Sequence, residues 1–435
     1  MKQALRGALL TFAADPYHTE FAESVVYSKD ALVVMEEGRF TAVGPATEGL
    51  AALAADVPVR ELPADHLMLP GFIDAHVHYP QMEIIAAHGK QLIDWLNNYT
   101  FIAEQGFADK AHADRVAQLF LQEQLRHGVT SSCVFCTVFP ESVDALFEAA
   151  QPLGMRLMAG KVCMDRNAPA GLLDTAQRAY DESAELIARW HGRERFEYVL
   201  TPRFAPTSSE AQLELVGALA AEHPDLLIQS HISENLREVA WVKQLFPWAK
   251  SYAEVYAKYG LLRPRAIYGH GIHLDEAELD LFHETGASLA HCPTSNFFLG
   301  SGYLNVRYAK EPRRPVPVGL ATDLGAGTSF SMLQTMNEAY KAAHLNGSDL
   351  PAQHAFYLAT RGSAEALGVA DKIGSVAPGY EADLTVMNLR STPLIDFRMD
   401  FAKDLDEQLF IQMIMGDERA IAATYVAGRC VKEWA

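Results

Sequence analysis

The sequence predicts an α/β protein, a (β/α)8 TIM barrel carrying a small β-sandwich-like domain built from both chain ends. Three observations carry the prediction. Short apolar runs alternate with amphipathic helical stretches through the middle of the chain, the pattern of repeated βα units around a parallel sheet. Eight such runs stand in series. Both ends share a strand-rich texture without long helical periodicity.

The N-terminal stretch "SVVYSKDALVVMEEGRFTAVG" has β-branched runs broken at Lys29-Asp30 and Glu37-Gly38, which reads as hairpins. Before it, "GALLTFAA" follows Lys2 and Arg6 and faintly resembles a signal-peptide core. It is short and contains Thr11, so a β-strand is the better reading. Similar texture returns in "GSVAPGYEADLTVMNL" and "AATYVAGRCVKEW". Residues 1–66 and 371–435 are therefore expected to form one composite β domain, and residues 67–370 the barrel.

Barrel strands are expected around 69–76, 129–135, 155–162, 196–201, 226–231, 265–270, 287–291 and 316–323. Between them lie helical patterns such as "ADRVAQLFLQEQLRHG" and "DTAQRAYDESAELIARWHG", closed by Gly128 and Gly192. Glycine at a helix end supplies the left-handed residue that stops it.

Composition excludes some functions. A chain of 435 residues with 49% hydrophobic content can bury a large core, and a net charge of -19 argues against nucleic acid as partner. No apolar run approaches the roughly 20 residues of a membrane helix. The five cysteines are an odd number and, except Cys430, sit in apolar runs, which suits a reducing cytoplasmic setting.

In such a barrel, chemistry collects at the C-terminal ends of the strands. Strand one ends in His76-Val77-His78, strand four in Thr201-Pro202-Arg203-Phe204, and strand five in Ser230-His231-Ile232-Ser233-Glu234. Strand six ends in His270, strand seven in His291-Cys292, and strand eight in Thr322-Asp323. His76 and His78, at i and i+2, project to one side of a strand and can share a metal. With His231 and Asp323 they make a nitrogen/oxygen set suited to Zn²⁺, with Fe²⁺ as the other option.

Glu234, three residues after His231, is placed to move protons beside the metal, and His270 to orient water or polarise a substrate. Asp74 shares the alternation of His76 and His78 and is expected to support a ligand from behind. Taken singly, each group has a bland alternative. The histidines could be satisfied core residues, Asp323 an N-cap for a helix near Ser329, and Glu234 a first-turn glutamate. Their joint placement at strand ends is what favours the metal site. Cys133 and Cys136 form a CxxC without a second pair and read as packing. Gly325 and Gly327 read as turn residues, and His273 and His291 as pocket-wall or structural residues.

These residues resemble the amidohydrolase superfamily, and the spacing of His231 and Glu234 resembles its mononuclear zinc aminohydrolase branch. Two-metal branches use a carboxylated lysine near the end of strand four, whereas "TPRF" stands there in this chain. Within the superfamily, "PGFIDAHVHYPQ", "IDWLNNYTF", "GKVCMDRNAP", "TPRFAPTSS", "SHISEN", "HCPTSNFFLGSG" and "TDLGAGTSFSMLQTMNEAYK" resemble the blocks of the guanine deaminase family, in order.

The resemblance implies hydrolytic deamination of guanine to xanthine and ammonia, with one zinc per subunit on His76, His78, His231 and Asp323. It implies Glu234 as proton shuttle assisted by His270, and Gln81 and Arg203 reading the polar edge of the base with Phe204 beside them. His78, His231, Glu234 and Asp323 would also border the bound substrate. Trp95 and Tyr99 are candidates to cover the ring, with core packing the alternative. A cytoplasmic homodimer is implied as well. The rivals are a related aminohydrolase acting on another base or a triazine, and a non-catalytic barrel used in assembly.

Overall fold

A computed structural model describes residues 2–89 and 91–433. Eight parallel strands follow one another in space as in sequence: β1 (Phe72–His78), β2 (Val129–Phe135), β3 (Arg156–Gly160), β4 (Phe196–Pro202), β5 (Leu227–Ile232), β6 (Ala266–His270), β7 (Ser288–His291) and β8 (Val318–Leu320). Closure between the last and the first runs through hydrogen bonds rather than a regular ladder. Asp323 N–H donates to the His76 carbonyl at 3.0 Å, and Thr322 N–H donates to Asp74 Oδ1 at 3.0 Å.

Helices cover the barrel where the sequence periodicity places them. Lys110–Arg126 starts at Asp109, whose carboxylate accepts from Ala111 N–H, and Ala176–Trp190 starts at Thr175. Val116, Phe120, Leu121 and Leu125 are buried at helical spacing on the first of these, and Gly128 follows it with φ +76°.

The chain ends build the second sheet. Lys2–Phe12 pairs with Val25–Glu36, which pairs with Arg39–Pro45; on its other flank come His66–Pro70, Leu384–Asn388, Ile421–Val426 and Arg429–Glu433. The "GALLTFAA" stretch is thus mostly strand. Helices Pro393–Met399 and Leu405–Met415 interrupt the C-terminal strands, and the second packs against barrel helices Met332–Leu345 and Ala352–Leu358.

Two details differ from the sequence reading. The run expected as one strand over 69–76 is divided: His66–Pro70 pairs antiparallel with Leu384–Asn388, and the barrel strand begins at Phe72. Between them, Gly71 N–H donates to Asp383 in the end sheet. A continuous apolar run carries no mark of such a change of partner. Asp74, moreover, does not share the alternation of His78. Asp74 pairs with Ser132 and His78 with Phe135, so one extra residue is taken up in a bulge between them.

Candidate active site

The two histidines of β1 stand over an apolar floor. The Phe135 ring lies 4.7, 4.5 and 4.7 Å, centre to centre, from His76, His78 and His231. Gly269 on β6 gives His76 its room, since a Cβ there would meet His76 Cε1 at 2.7 Å. From β5, His231 Nε2 lies 3.1 Å from His78 Nε2. Beyond β8, Asp323 Oδ1 lies 3.4 Å from Nε2 of both His76 and His78. One donor atom from each of His76, His78, His231 and Asp323 falls within 4.8 Å of all the others.

Electrostatics prepares these groups as ligands. Burial lowers the pKa of His76, and burial with neighbouring positive charge holds His78 and His231 well below the ordinary value. The rings are therefore neutral at pH 7. Burial pushes the Asp323 carboxyl up, but the neighbouring imidazoles of His76, His270 and His231 outweigh it and bring the pKa to about 2. His231 Nδ1–H donates to the Arg203 carbonyl at 2.6 Å, which leaves the Nε2 lone pair facing the cluster. A second set, His76, His270, Cys292 and Asp323, is equally compact. Its thiol is pushed well above the ordinary range by burial and points at the Ala290 carbonyl, so the four-member His/Asp set is the better ligand group.

Beside the cluster, Glu234 Oε1 accepts from Ser301 Oγ at 3.0 Å, and Oε2 lies 3.4 Å from His270 Nε2. Burial raises the Glu234 carboxyl to about 7. Burial lowers His270, but the charges of Glu234 and Asp323 outweigh it and leave the ring above its usual value. His270 Nδ1 faces Asn296 Oδ1 at 2.8 Å. The Glu238 carboxylate accepts from the N–H groups of Glu234 and Asn235 at 2.9 and 3.1 Å and fixes the turn. Ser233, His270 and Asp323 have φ of +49°, +74° and +47°, a costly conformation for non-glycine residues that clusters at functional sites.

The cluster opens into a cavity. Gln81, Trp95, Arg203 and Phe204 line it together with His78, His231, Glu234, His270 and Asp323. Of the expected metal ligands and substrate-facing residues, His76 is the one absent from the lining. Tyr99 is half-buried and does not line the cavity. His273 Nε2–H donates to the Ser301 carbonyl at 3.1 Å and so braces the loop that holds Glu234; His291 is buried away from the cavity lining.

The sequence reading missed Glu104. This carboxylate is 1% exposed and accepts from Arg203 Nη1 at 2.9 and 2.7 Å and from Gln81 Nε2 at 3.3 Å. Its one signal was being the lone charge between Asp94 and Asp109 in an otherwise apolar and neutral stretch. Asn296 and Ser301 were missed too, and short neutral polar residues offer no such signal.

A sequence model of the amidohydrolase family matches residues 67–431. Guanine deaminase of Escherichia coli (strain K12) is 46% identical over 414 residues, 95% of this chain and 94% of that one. The chain belongs to the guanine deaminase family of amidohydrolases. Among solved structures, Escherichia coli guanine deaminase superposes with a TM-score of 0.96 at 45% identity, covering 99% of each chain. Guanine deaminase from C. acetobutylicum, solved with guanine bound in its active site, superposes with a TM-score of 0.88 at 28% identity over 99% of this chain and 100% of that one. The fold of the guanine deaminase family thus extends over both sheets of this protein.

Proposed function

We propose that this protein deaminates guanine hydrolytically to xanthine and ammonia, using one zinc ion held by His76, His78, His231 and Asp323. The observation that carries the reading is one cavity whose lining joins buried metal-ligand candidates and the Glu234 carboxylate to Arg203 and Gln81. The residues fit a metal: His76 Nε2 is buried without a hydrogen-bond partner, and three neutral imidazoles with one ionised carboxylate are a zinc donor set. Fe²⁺ suits the same donors. When bound, the metal supplies a water of lowered pKa and stabilises negative charge that develops on the attacked carbon's substituent.

The remaining chemistry belongs to side chains. Glu234, with a pKa of about 7, takes one proton from the attacking water and gives it to a ring nitrogen, then takes the second from the new C2 hydroxyl and gives it to the departing 2-amino group. Attack at C2 forms one C–O bond, and loss of ammonia breaks one C–N bond. His270 lies between Glu234 and Asp323 and orients both. The Arg203 guanidinium donates to the O6 side of the base, and Phe204 and Trp95 wall the ring.

We place this chemistry in residues 67–370, with residues 1–66 and 371–435 as the β domain, in a cytoplasmic homodimer. Five free cysteines support a reducing compartment, and among the described residues no helix is long and apolar enough to cross a membrane.

The test is ammonia release across a panel of purines, cytosine and triazines, with metal analysis of the same sample. Guanine is expected to be the best substrate, with one zinc per chain. Good turnover of another base and none of guanine would overturn the reading.

A further inference from the structure

We infer that Glu104 is a positioning residue that sets the hydrogen-bond polarity of the base-binding edge. The inference rests on the guanine reading above and deepens it.

Glu104 reaches the two residues that face the base and itself stays out of the cavity lining. Both of its oxygens accept from Arg203 Nη1, and Oε1 also accepts from Gln81 Nε2. A carboxylate is an acceptor only, so Gln81 must turn its NH₂ group toward Glu104; the flipped amide would set two oxygens against each other. Gln81 therefore presents its carbonyl oxygen elsewhere. That oxygen lies against Gly325, where φ is +124° and a Cβ would meet it at 2.3 Å. Any side chain at Gly325 would push the amide out of this pose.

The same carboxylate neutralises the Arg203 charge while tying up one nitrogen, and the Phe101 ring lies 5.5 Å from the guanidinium carbon. The rest of the guanidinium faces the cavity as donor. The edge thus offers one fixed acceptor beside fixed donors, and it selects a ring edge with an N–H next to an acceptor atom. Guanine has such pairs at N1–H/O6 and in its imidazole ring. A base with an amino group in place of O6 sets donor against donor.

The experiment compares the full-length, metal-loaded protein with Glu104→Gln. The variant keeps size but adds a donor, so the Gln81 amide loses its imposed orientation. KM for guanine is expected to rise about tenfold or more while kcat changes by less than about threefold, and preference for guanine over 2,6-diaminopurine to fall about tenfold. Metal content and thermal midpoint serve as controls for folding.

Should Glu104→Gln not fold, Gln81→Met tests the polarity directly. Wild type should bind one of 1-methyl-, 7-methyl- or 9-methylguanine at least about tenfold less tightly than guanine, and Gln81→Met should shrink that penalty. Equal KM and equal base preference in Glu104→Gln and wild type, or a fall in kcat at constant KM, would overturn the inference, as would a methyl penalty that Gln81→Met leaves intact. A wild type that ignores guanine but turns over another base would instead overturn the reaction proposed above. The Glu104 assignment is then decided by the same KM split on that base.

Discussion

The backbone carbonyl of Arg203 accepts a hydrogen bond from Nδ1–H of His231 at 2.6 Å, while the side chain of Arg203 projects into the cavity and onto Glu104. One residue thus fixes the tautomer of a metal-ligand candidate through its main chain and faces the base through its side chain. The two roles separate by mutation. Arg203→Ala keeps the carbonyl, so metal content should match wild type. Loss of a charged donor, worth about 1.5–3 kcal/mol, should lower kcat/KM for guanine by about 10- to 100-fold. Metal lost along with activity would show that the side chain, too, supports the ligand.

Glu234→Gln removes the carboxylate proposed to move protons while keeping shape and the contact with Ser301. Turnover should fall by about 10²–10⁴ with metal content and thermal midpoint retained. Turnover near wild type, measured as ammonia release on metal-replete protein, would take Glu234 out of the mechanism.

Much of this arrangement was legible in the sequence because strand ends and barrel symmetry translate directly into space. His76, His78, His231, His270 and Asp323 each close an apolar run, and the closed sheet brings those run ends together. Whatever depended on pairing was not legible. The split at Gly71 and the bulge after Asp74 are choices of hydrogen-bond partner, and partners so distant in sequence leave no local trace. Glu104 belongs to the same class. A carboxylate in a helix reads as solvated until the fold brings Arg203 and Gln81 onto it.

Asp74 holds the segment that follows β8. Its oxygens accept from Thr322 N–H and Thr322 Oγ, the residue before Asp323, and its burial raises the carboxyl to about 7. Asp74→Asn exchanges one acceptor oxygen for a donor and should release that segment. Metal affinity, read by competition with a chelator, should weaken about 10- to 100-fold. Unchanged affinity would confine Asp74 to packing.

Far from the cavity, an ion network ties the end sheet to the barrel and should govern acid stability. Glu381 accepts from Arg156 Nε at 2.9 Å and from Arg195 Nε at 2.8 Å, with its side chain 9% exposed. Burial raises its carboxyl, but the two guanidinium groups outweigh this and bring it to about 2, below the ordinary 4.5. The unfolded chain therefore takes up this proton first as pH falls. The contribution is complete above pH 4.5 and is lost as pH drops toward 2; at about 1.4 kcal/mol per unit it amounts to about 3 kcal/mol. Glu381→Gln should lower the thermal midpoint at pH 7, and the gap to wild type should close between pH 4.5 and pH 2. A gap that stays constant through that window would mean that shape and hydrogen bonding, not the Glu381 charge, hold the two sheets together.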